Sequence, residues 1–394
     1  MRAPLAAIAY KEAIMGEKTF LILGGYGNTG RLISRLLLQE SSVRLVLAGR
    51  TIENADAAAA QLNSRFEGGR VSATYADASD VVSLTKALEG VDFIIVASSS
   101  SEYAEQVARA ALEVGVDYLD IQYSTKKTAA LKALTGEITN SGYCFITDGG
   151  FHPGLPAALI RYVALFFDQL ETAIVGSVIK VDWASLTMSE STVYEFIEEI
   201  SDFEALVFKE GQWKKARMLG MMDYIAMDFS GDFGKQYCVP MFLEEMRPIP
   251  DMFPSLSKTG FFVGGFNWFV DWLVFPISML GLRLFPHTAR KPLGELMKWG
   301  LNAFSKPPYG TALKVEARGE KESKDIAVNV SIYHEDGYML TAIPVVACLL
   351  QYLDGSLRKP GLWTQANIVD PNRLITDMER LGVDVRVEDD ISMN

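Results

Sequence analysis

Cysteine and histidine are scarce in this chain, which has three of each among its 394 residues. The six are Cys144, Cys238, Cys348, His152, His287 and His334. The cysteines are far apart and in apolar surroundings, so neither a disulfide framework nor a CxxC metal site is available. The histidines lack the i,i+4 spacing of a zinc-binding helix. We therefore predict no metal site and a cytoplasmic location, where thiols stay reduced.

The chain also lacks an excess of basic residues. Its 37 Lys and Arg residues face 49 Asp and Glu residues, which gives a net charge of -12, and a field of that sign repels phosphate backbones. We therefore expect no nucleic-acid partner. Charged residues make up 22% and hydrophobic residues 49%, which excludes a disordered chain. Residues 1–17 are predicted to be a flexible lead-in, because the apolar run at 5–9 is too short for a signal peptide.

Residues 18–156 alternate short apolar runs with segments of helical period, which is the pattern of a doubly wound parallel sheet. The strand candidates are 19–23, 43–48, 71–76, 91–97, 116–121 and 143–147. Several are almost continuously apolar, as expected of strands that helices cover on both faces. The predicted fold class is therefore α/β, with a doubly wound Rossmann domain over 18–156.

The pattern changes beyond residue 156. Strand-like segments at 172–181, 311–317 and 325–334 follow a helix, and a charged turn joins the last two as in an antiparallel hairpin. We predict an inserted α+β substrate domain over 157–336. A return over 337–394, with helix-like segments at 339–353 and 371–381, is expected to pack on the first domain.

A glycine pattern, Gly25-x-Gly27-x-x-Gly30, ends the first strand and opens a helix. The first glycine permits the tight turn, the second lets backbone approach a pyrophosphate, and the third brings helix and strand together. The free N–H groups of the helix N-terminus favour the anion. The predicted dinucleotide-binding residues here are Gly25, Tyr26, Gly27, Asn28, Thr29 and Gly30.

The second strand ends in Gly49-Arg50-Thr51, where an NAD site needs a carboxylate for the ribose 2′-hydroxyl. A guanidinium at that point can bind a 2′-phosphate through two hydrogen bonds, so Arg50 and Thr51 favour NADP(H) over NAD(H). Alternatively, Arg50 is a solvated charge, and Glu53 or Asp56 binds the hydroxyl.

Other strand ends meet at the same edge of the predicted sheet, where doubly wound folds bind ligands. Asp77 could accept a hydrogen bond from adenine or cap the next helix. Ser98 and Ser99 could pass close under a cofactor, or the serine run could cap a helix. Both interpretations of these residues stay open.

The ends of the fifth and sixth strands are where we expect substrate chemistry. His152 lies in the glycine-rich segment 148–154, titrates near neutral pH in its ordinary range, and could donate a proton. Asp120 and Tyr123 could orient or protonate a reacting group, and Gly150 supplies free backbone. Alternatively, His152 is a satisfied turn histidine and Tyr123 a packing residue.

These motifs together resemble the saccharopine dehydrogenase-like oxidoreductases. The resemblance covers 20–156 through GGYGNTGRL, LAGRT and DGGFHPGLP, and returns over 337–381 with GYMLTAIPVVACLLQYLDG. It implies a Rossmann domain for NAD(P), an inserted substrate domain, and oxidation or reduction at the cleft between them. By position, Gly25, Gly27, Gly30 and Arg50 match the cofactor motif, and 150–154 matches the loop near the nicotinamide.

The sequence departs from this family at positions that bear on the substrate. Many members have Gly-Pro where this chain has Ser99-Ser100, Gly-Glu at Tyr123-Ser124, and Asp at His152. The family also includes enoyl reductases of lipid biosynthesis. We therefore expect NADP(H)-dependent reduction of a C=C, C=N or C=O bond in a small apolar or lipid-like metabolite. The alternatives are a saccharopine-type amino-acid reductase and a non-catalytic NADP-binding scaffold on membranes or lipid droplets.

The most apolar segment is 260–285. Asp271, Pro276 and four glycines weaken it as a membrane-spanning helix. Asn267, Asp271 and Ser278 fall near one side of a helical wheel, which favours an interfacial helix or a packed hairpin.

A basic cluster follows this segment and suits lipid headgroups. Its members are Arg283, His287, Arg290, Lys291 and Lys298. Three interpretations stay open: a buried core or homodimer interface, a lipid-facing surface or substrate channel, and a true span. The cluster favours peripheral membrane contact through 260–298.

Overall fold

A computed structural model describes residues 18–183, 204–217, 222–231, 233–285 and 288–390. Within these ranges the chain divides into two compact units. The first contains the residues up to Leu155 together with Thr341–Met378, and the second contains Pro156–Leu340 together with the residues from Glu379 on. The predicted lead-in, 1–17, lies outside the described residues, as does His287 of the basic cluster.

The first unit is built on a parallel sheet of seven strands, numbered here in chain order. They are β1 (Thr19–Leu23), β2 (Arg44–Gly49), β3 (Val71–Tyr75), β4 (Phe93–Val96), β5 (Asp117–Asp120), β6 (Cys144–Thr147) and β15 (Gly361–Thr364). Their spatial order is β15-β6-β5-β4-β1-β2-β3. The chain thus runs outward from β1 to β3 and starts again at β4 on the other side of β1, which is the reversal that defines a doubly wound fold. The predicted α/β Rossmann fold is confirmed.

Helices of the first unit follow from apolar positions at helical spacing. They are α1 (Asn28–Glu40), α2 (Ile52–Asn63), α3 (Val81–Ala87), α4 (Ala104–Val114), α5 (Thr125–Ala133), α6 (Thr135–Ser141), α12 (Gln365–Ile368) and α13 (Pro371–Arg380). In α1, Ile33, Leu36 and Leu37 are buried, and burial of such a face supplies most of a helix's stability in a protein. Asp80 caps α3 by accepting a hydrogen bond from the Val82 N–H at 3.0 Å.

The second unit is built on a mixed sheet of nine strands. They are β7 (Gln169–Lys180), β8 (Leu206–Lys209), β9 (Gln212–Lys215), β10 (Ile225–Asp228), β11 (Lys235–Met241), β12 (Lys258–Gly264), β13 (Gly310–Lys321), β14 (Lys324–His334) and β16 (Asp384–Asp390). The order is β10-β11-β12-β7-β13-β14-β16, with β8 and β9 attached at β12. Strands β13 and β14 form the predicted antiparallel hairpin.

Among the described residues of the second unit, four helices accompany this sheet, and a fifth, α11 (Gly337–Leu353), runs from the second unit into the first. The four are α7 (Pro156–Val163), α8 (Ile249–Met252), α9 (Phe275–Leu284) and α10 (Arg290–Phe304). Helix α7 packs on β7 and β13. The buried Glu245 carboxylate accepts the Ala157 N–H at its first turn at 3.1 Å.

The predicted return over 337–394 is corrected at both of its ends. Residues up to Leu340 and from Glu379 on belong to the second unit. The cause at the C-terminus is β16, which pairs with β14 along Asp384–Asp390 and so extends the second sheet. In the first unit, the Tyr352 hydroxyl of α11 donates to the buried Asp117 carboxylate at 2.6 Å.

The apolar segment 260–285 divides between two kinds of structure. Its start is β12, which is buried and pairs in parallel with β7. A π-helical turn, Val270–Val274, then leads into α9. Because the segment begins as a strand, the interpretation of it as one spanning helix is wrong. Within the described ranges, no helix has the length and apolarity to cross a membrane.

Candidate functional site

The glycine turn between β1 and α1 has the close backbone approaches that its sequence predicts. Gly24 has a φ of +86°, and the Gly27 N–H donates to its carbonyl oxygen at 2.9 Å. A Cβ at Gly30 would lie 2.3 Å from that same oxygen, so only glycine fits where α1 crosses β1. The first N–H groups of α1 have no intrahelical partners. The residues present therefore fit the pyrophosphate of a dinucleotide.

Tyr26 and Thr51 lie beside this turn, at the end of β2. A Cβ on Gly49 would come within 2.5 Å of the Tyr26 ring, so the ring rests directly on the backbone of β2. The Thr51 N–H donates to the Tyr26 hydroxyl at 3.3 Å. This contact joins the glycine turn to the end of β2, where the adenosine part of a dinucleotide would lie.

Arg50 is exposed at the end of β2, next to the edge of the glycine turn. Its guanidinium is close enough to Asp77 to help lower the pKa of that carboxyl. Glu53 and Asp56 are both exposed on α2. Arg50 thus lies at the end of the strand. Glu53 and Asp56, which would bind the ribose 2′-hydroxyl in the alternative interpretation, both lie in the next helix.

Asp77 is engaged in a turn after β3. Its pKa is lowered mainly because the Ser79 N–H and hydroxyl donate to one carboxylate oxygen at 2.9 and 2.8 Å. The Asp80 N–H also donates to the Asp77 carbonyl oxygen at 3.0 Å. These contacts give Asp77 a structural role in starting α3, in line with the capping alternative.

The serines after β4 are linked to the end of β5 by a glutamine. Ser98 and Ser100 share a hydrogen bond of 2.8 Å between their hydroxyls. The buried Gln122 amide donates to the Ser98 carbonyl oxygen at 2.6 Å and to the Ser100 hydroxyl at 3.1 Å. Ser99 is exposed. No side-chain cap is made by Ser100 to the short helix that follows, so the serines fix a turn between two strand ends.

A fully buried lysine joins the ends of β5 and β6. The Lys127 ammonium donates to Asp120 at 2.7 Å, to Asp148 at 2.6 Å and to the Gln122 carbonyl oxygen. Burial lowers the pKa of Lys127, and the two carboxylates raise it. The carboxylates have the larger combined effect, so the pKa of Lys127 lies above the ordinary value. Neutralisation by opposite charges is what permits such burial.

Asp120 has no capacity left for a substrate. Besides Lys127, its carboxylate accepts hydrogen bonds from the Tyr118 hydroxyl at 3.1 Å and the Thr147 hydroxyl at 2.8 Å. Its side chain is completely buried. The prediction that Asp120 orients or protonates a reacting group is therefore replaced by a structural role.

The 148–154 loop, which follows β6, is held on its other side by Gln365. The Gln365 amide donates to the carbonyl oxygens of Gly150 and Gly154 at 3.1 and 3.2 Å, and its oxygen accepts the Gly150 N–H at 3.3 Å. Gly150 has a φ of +126°, and Asp148 has a φ of +59°. The loop backbone is thus fixed from β5 through Lys127 and from β15 through Gln365.

His152 stands in this loop with both ring nitrogens buried. Burial lowers the pKa of His152 to about 3, so the imidazole is neutral at physiological pH. The expectation that it titrates near neutral pH is therefore wrong. A neutral imidazole still offers one N–H donor and one acceptor. Its ring packs edge-on against Phe151, with centroids 3.9 Å apart.

Tyr123 is half-buried in the turn between β5 and α5. It follows the strand that pairs with β6, the strand before His152. Both predicted catalytic residues thus lie at adjacent strand ends.

The glycine turn and the strand ends could be predicted from the sequence. The structural roles of Lys127, Gln122 and Gln365 could not. Ser124 caps α5 by accepting the Lys127 backbone N–H at 3.2 Å. A lysine in the first turn of a helix is usually exposed, so nothing in the sequence indicates that this one is buried. Gln365 follows β15, which was not predicted.

The comparisons with known proteins agree with this geometry. Residues 20–142 match the family model described as the saccharopine dehydrogenase NADP binding domain. The apo saccharopine dehydrogenase (L-Glu forming) from Saccharomyces cerevisiae matches with a TM-score of 0.66 and 14% identity, covering 95% of this chain and 100% of that one. The sequence finds no match among curated proteins.

Two further solved structures match with lower scores. The C. glutamicum DAP dehydrogenase in complex with DAP has a TM-score of 0.43 and 12% identity, covering 93% of this chain and 99% of that one. An engineered D-amino acid dehydrogenase bound to NADP+ has a TM-score of 0.44 and 13% identity, covering 91% and 96%.

The first unit is therefore a dinucleotide-binding domain of the Rossmann type. More particularly, residues 20–142 of this unit are similar to the NADP binding domain of saccharopine dehydrogenase, the resemblance that the sequence motifs predicted. The structural match at 14% identity shows a shared fold.

Proposed function

We propose that this chain is an NADP(H)-dependent oxidoreductase that reduces a C=C, C=N or C=O bond of a small apolar, lipid-like metabolite in the cytoplasm. The observation that carries the proposal is the glycine turn at β1 together with Arg50 at the end of β2. NADPH, when bound, supplies the hydride. The protein must hold the acceptor and provide a hydrogen bond to the atom that becomes basic.

The charges at the ends of β5 and β6 favour an uncharged substrate. The formal charges of Lys127, Asp120 and Asp148 sum to -1, but all three groups are buried and bonded to one another, so none of them is exposed to bind an ammonium or a carboxylate. The neighbouring Phe151 is apolar, and His152 is neutral at pH 7 because burial lowers its pKa. An amino-dicarboxylate would need charged partners here, whereas an apolar carbonyl, imine or alkene would not.

His152 and Tyr123 are the proposed donors to the substrate. Because His152 is neutral, its role is to donate a hydrogen bond from its N–H, rather than a proton from an imidazolium, to a carbonyl or imine that enters against its buried ring. The Tyr123 hydroxyl can donate in the same way. A loss of only a fewfold in kcat for both His152→Ala and Tyr123→Phe would refute these roles.

Cofactor choice can be tested by titrating the protein with NADPH and NADH and following nucleotide fluorescence. We expect Arg50→Ala to weaken NADPH binding by roughly 10- to 100-fold, the value of hydrogen bonds to a charged group, while NADH binding changes little. Arg44→Ala is the matched control, since Arg44 is exposed at the opposite end of the same strand. Equal losses for both nucleotides would contradict the assignment of Arg50.

Substrate class is tested by NADPH oxidation with two panels of compounds. We expect turnover with apolar enones, aldehydes or imines and none with amino-dicarboxylates. Turnover confined to the second panel would replace the proposal with a saccharopine-type amino-acid reductase. Tight NADPH binding without turnover on either panel would favour a non-catalytic scaffold.

A further inference from the structure

The helical segment after β12 buries polar side chains beside Val270 and Val274, and it leaves several large apolar side chains exposed. The Asp271 carboxylate accepts the backbone N–H groups of Gly265, Phe266 and Asn267. Asn267 in turn donates to the Gly300 carbonyl oxygen at 3.3 Å, and Ser278 is completely buried. A surface helix of a water-soluble protein has the opposite arrangement.

The exposed apolar residues of this segment recur at helical spacing, and we call them together the aromatic face. Its members are Trp268, Trp272, Ile277, Leu280, Leu284 and Phe285, each between 44% and 61% exposed. Trp299 of α10 adjoins it through Phe269, whose ring lies 5.3 Å away. Large exposed apolar patches mark interaction sites. Tryptophan is enriched at membrane–water interfaces, because its ring is apolar and its N–H is polar.

Basic side chains lie along the same two helices. Arg283 stands beside Leu284 on α9, and Lys291 and Lys298 lie two turns apart on the exposed side of α10. Residues 265–309 contain five basic and two acidic residues, and one of the acidic pair is the inward Asp271. The local charge is therefore positive in a chain whose net charge is -12.

We infer that the aromatic face docks on a lipid surface that carries anionic headgroups. Apolar side chains would enter the acyl boundary while the flanking cations meet lipid phosphates, which is how amphipathic interfacial helices bind. A protein partner for this face would need acidic groups to match the cations, whereas an anionic lipid surface supplies them everywhere. The inference is independent of the proposed reaction, because it concerns residues of the second unit, whereas the glycine turn and Arg50 belong to the first.

The test is co-flotation of the full-length protein with vesicles of phosphatidylcholine alone or mixed with phosphatidylglycerol. We expect binding to the mixed vesicles that weakens as salt is added. Arg283→Gln/Lys291→Gln/Lys298→Gln should reduce that binding about 100-fold, at roughly fivefold for each cation removed.

Ile277→Gln/Leu280→Gln/Leu284→Gln should reduce binding to the mixed vesicles by about tenfold or more, because less apolar area enters the lipid. Leu165→Gln is the matched control: Leu165 is 59% exposed in the same unit and lies outside the aromatic face. Since all these side chains are exposed, the thermal midpoints of the variants should match that of the parent. NADPH binding provides a second check that each variant is folded.

Three results would overturn the inference. The first is no binding to either kind of vesicle. The second is equal binding to the mixed vesicles by the parent and both triple variants. The third is a dimer in solution, detected by light scattering, that the apolar triple variant converts to a monomer while vesicle binding is absent; the face would then be covered by a second copy of the chain.

Discussion

Replacing Lys127 with Met tests whether this buried lysine stabilises the segments that follow β5 and β6. The substitution keeps a long unbranched side chain of similar volume and removes the ammonium, with its charge and its three hydrogen bonds. It leaves the Asp148 carboxylate, now held by Lys127 at 2.6 Å, without its buried cation. Asp120 loses the same partner but keeps its bonds from Tyr118 and Thr147.

The magnitude follows from the burial of all three groups. Removing one partner of a buried ion pair costs about 3–5 kcal/mol, because the charge left behind has no water to solvate it. We expect the free energy of unfolding to fall by about 4 kcal/mol in Lys127→Met. Lys127→Met/Asp148→Asn removes one of the two carboxylate charges that have lost their cation, and it should recover roughly half of that loss.

The assay is urea unfolding followed by circular dichroism, at pH 7. Because the pKa of Lys127 is raised, its contribution is fully present at this pH and is lost only as pH rises through that pKa. Arg109→Met is the control: Arg109 contacts Glu105 and Glu137, but about half of its side chain is exposed, so the cost should be under about 1 kcal/mol. Equal costs for Lys127→Met and Arg109→Met would refute the structural role of the lysine.

Three further predictions concern the glycine turn, His152 and Asp271. Gly30→Ala should abolish NADPH binding, because its Cβ would lie 2.3 Å from a backbone oxygen, whereas Gly136→Ala, with nothing within 4 Å, should bind normally; normal binding by Gly30→Ala would contradict the turn geometry. His152 should stay neutral from pH 5 to 8 in an NMR titration, because burial holds its pKa at about 3, and a titration near 6.5 would be the contrary result. Burial also raises the pKa of Asp271 to about 7, so the free energy of unfolding should fall as pH rises from about 4 to 7. Thermal unfolding of Asp271→Asn should lack this pH dependence, and parallel profiles for variant and parent would count against it.

The doubly wound fold could be predicted from sequence because its strands are short, apolar and separated by helices of clear period. Strand β15 was not predicted because Gly361–Thr364 contains only two apolar residues, Leu362 and Trp363, and lies after a polar turn. Strand β16 escaped for a different reason. Its sequence, DVRVEDD, carries four carboxylates, and only pairing with β14 identifies it as a strand.

The candidate site could be predicted where backbone geometry alone sets the residue type. Only glycine fits at position 30, because a Cβ there would clash with the Gly24 carbonyl oxygen. The spacing of the glycines in the sequence predicts this close contact. Lys127 and Gln365 act through partners distant in sequence, and nothing local distinguishes them from solvent-exposed residues. The lowered pKa of His152 could not be predicted either, because it results from burial in the folded protein.

The path of the chain between its two units has a consequence for synthesis. Residues 1–155 leave the ribosome first, yet their sheet still lacks β15, the strand beside β6. Until residue 364 emerges, the apolar β6 is an unprotected edge, and such edges are templates for aggregation. Gln365, which fastens the loop after β6, arrives with that same last strand. Synthesis of Pro156–Leu340, the larger part of the second unit, must therefore precede completion of the nucleotide-binding sheet, and expression should depend on chaperones that shield an open edge.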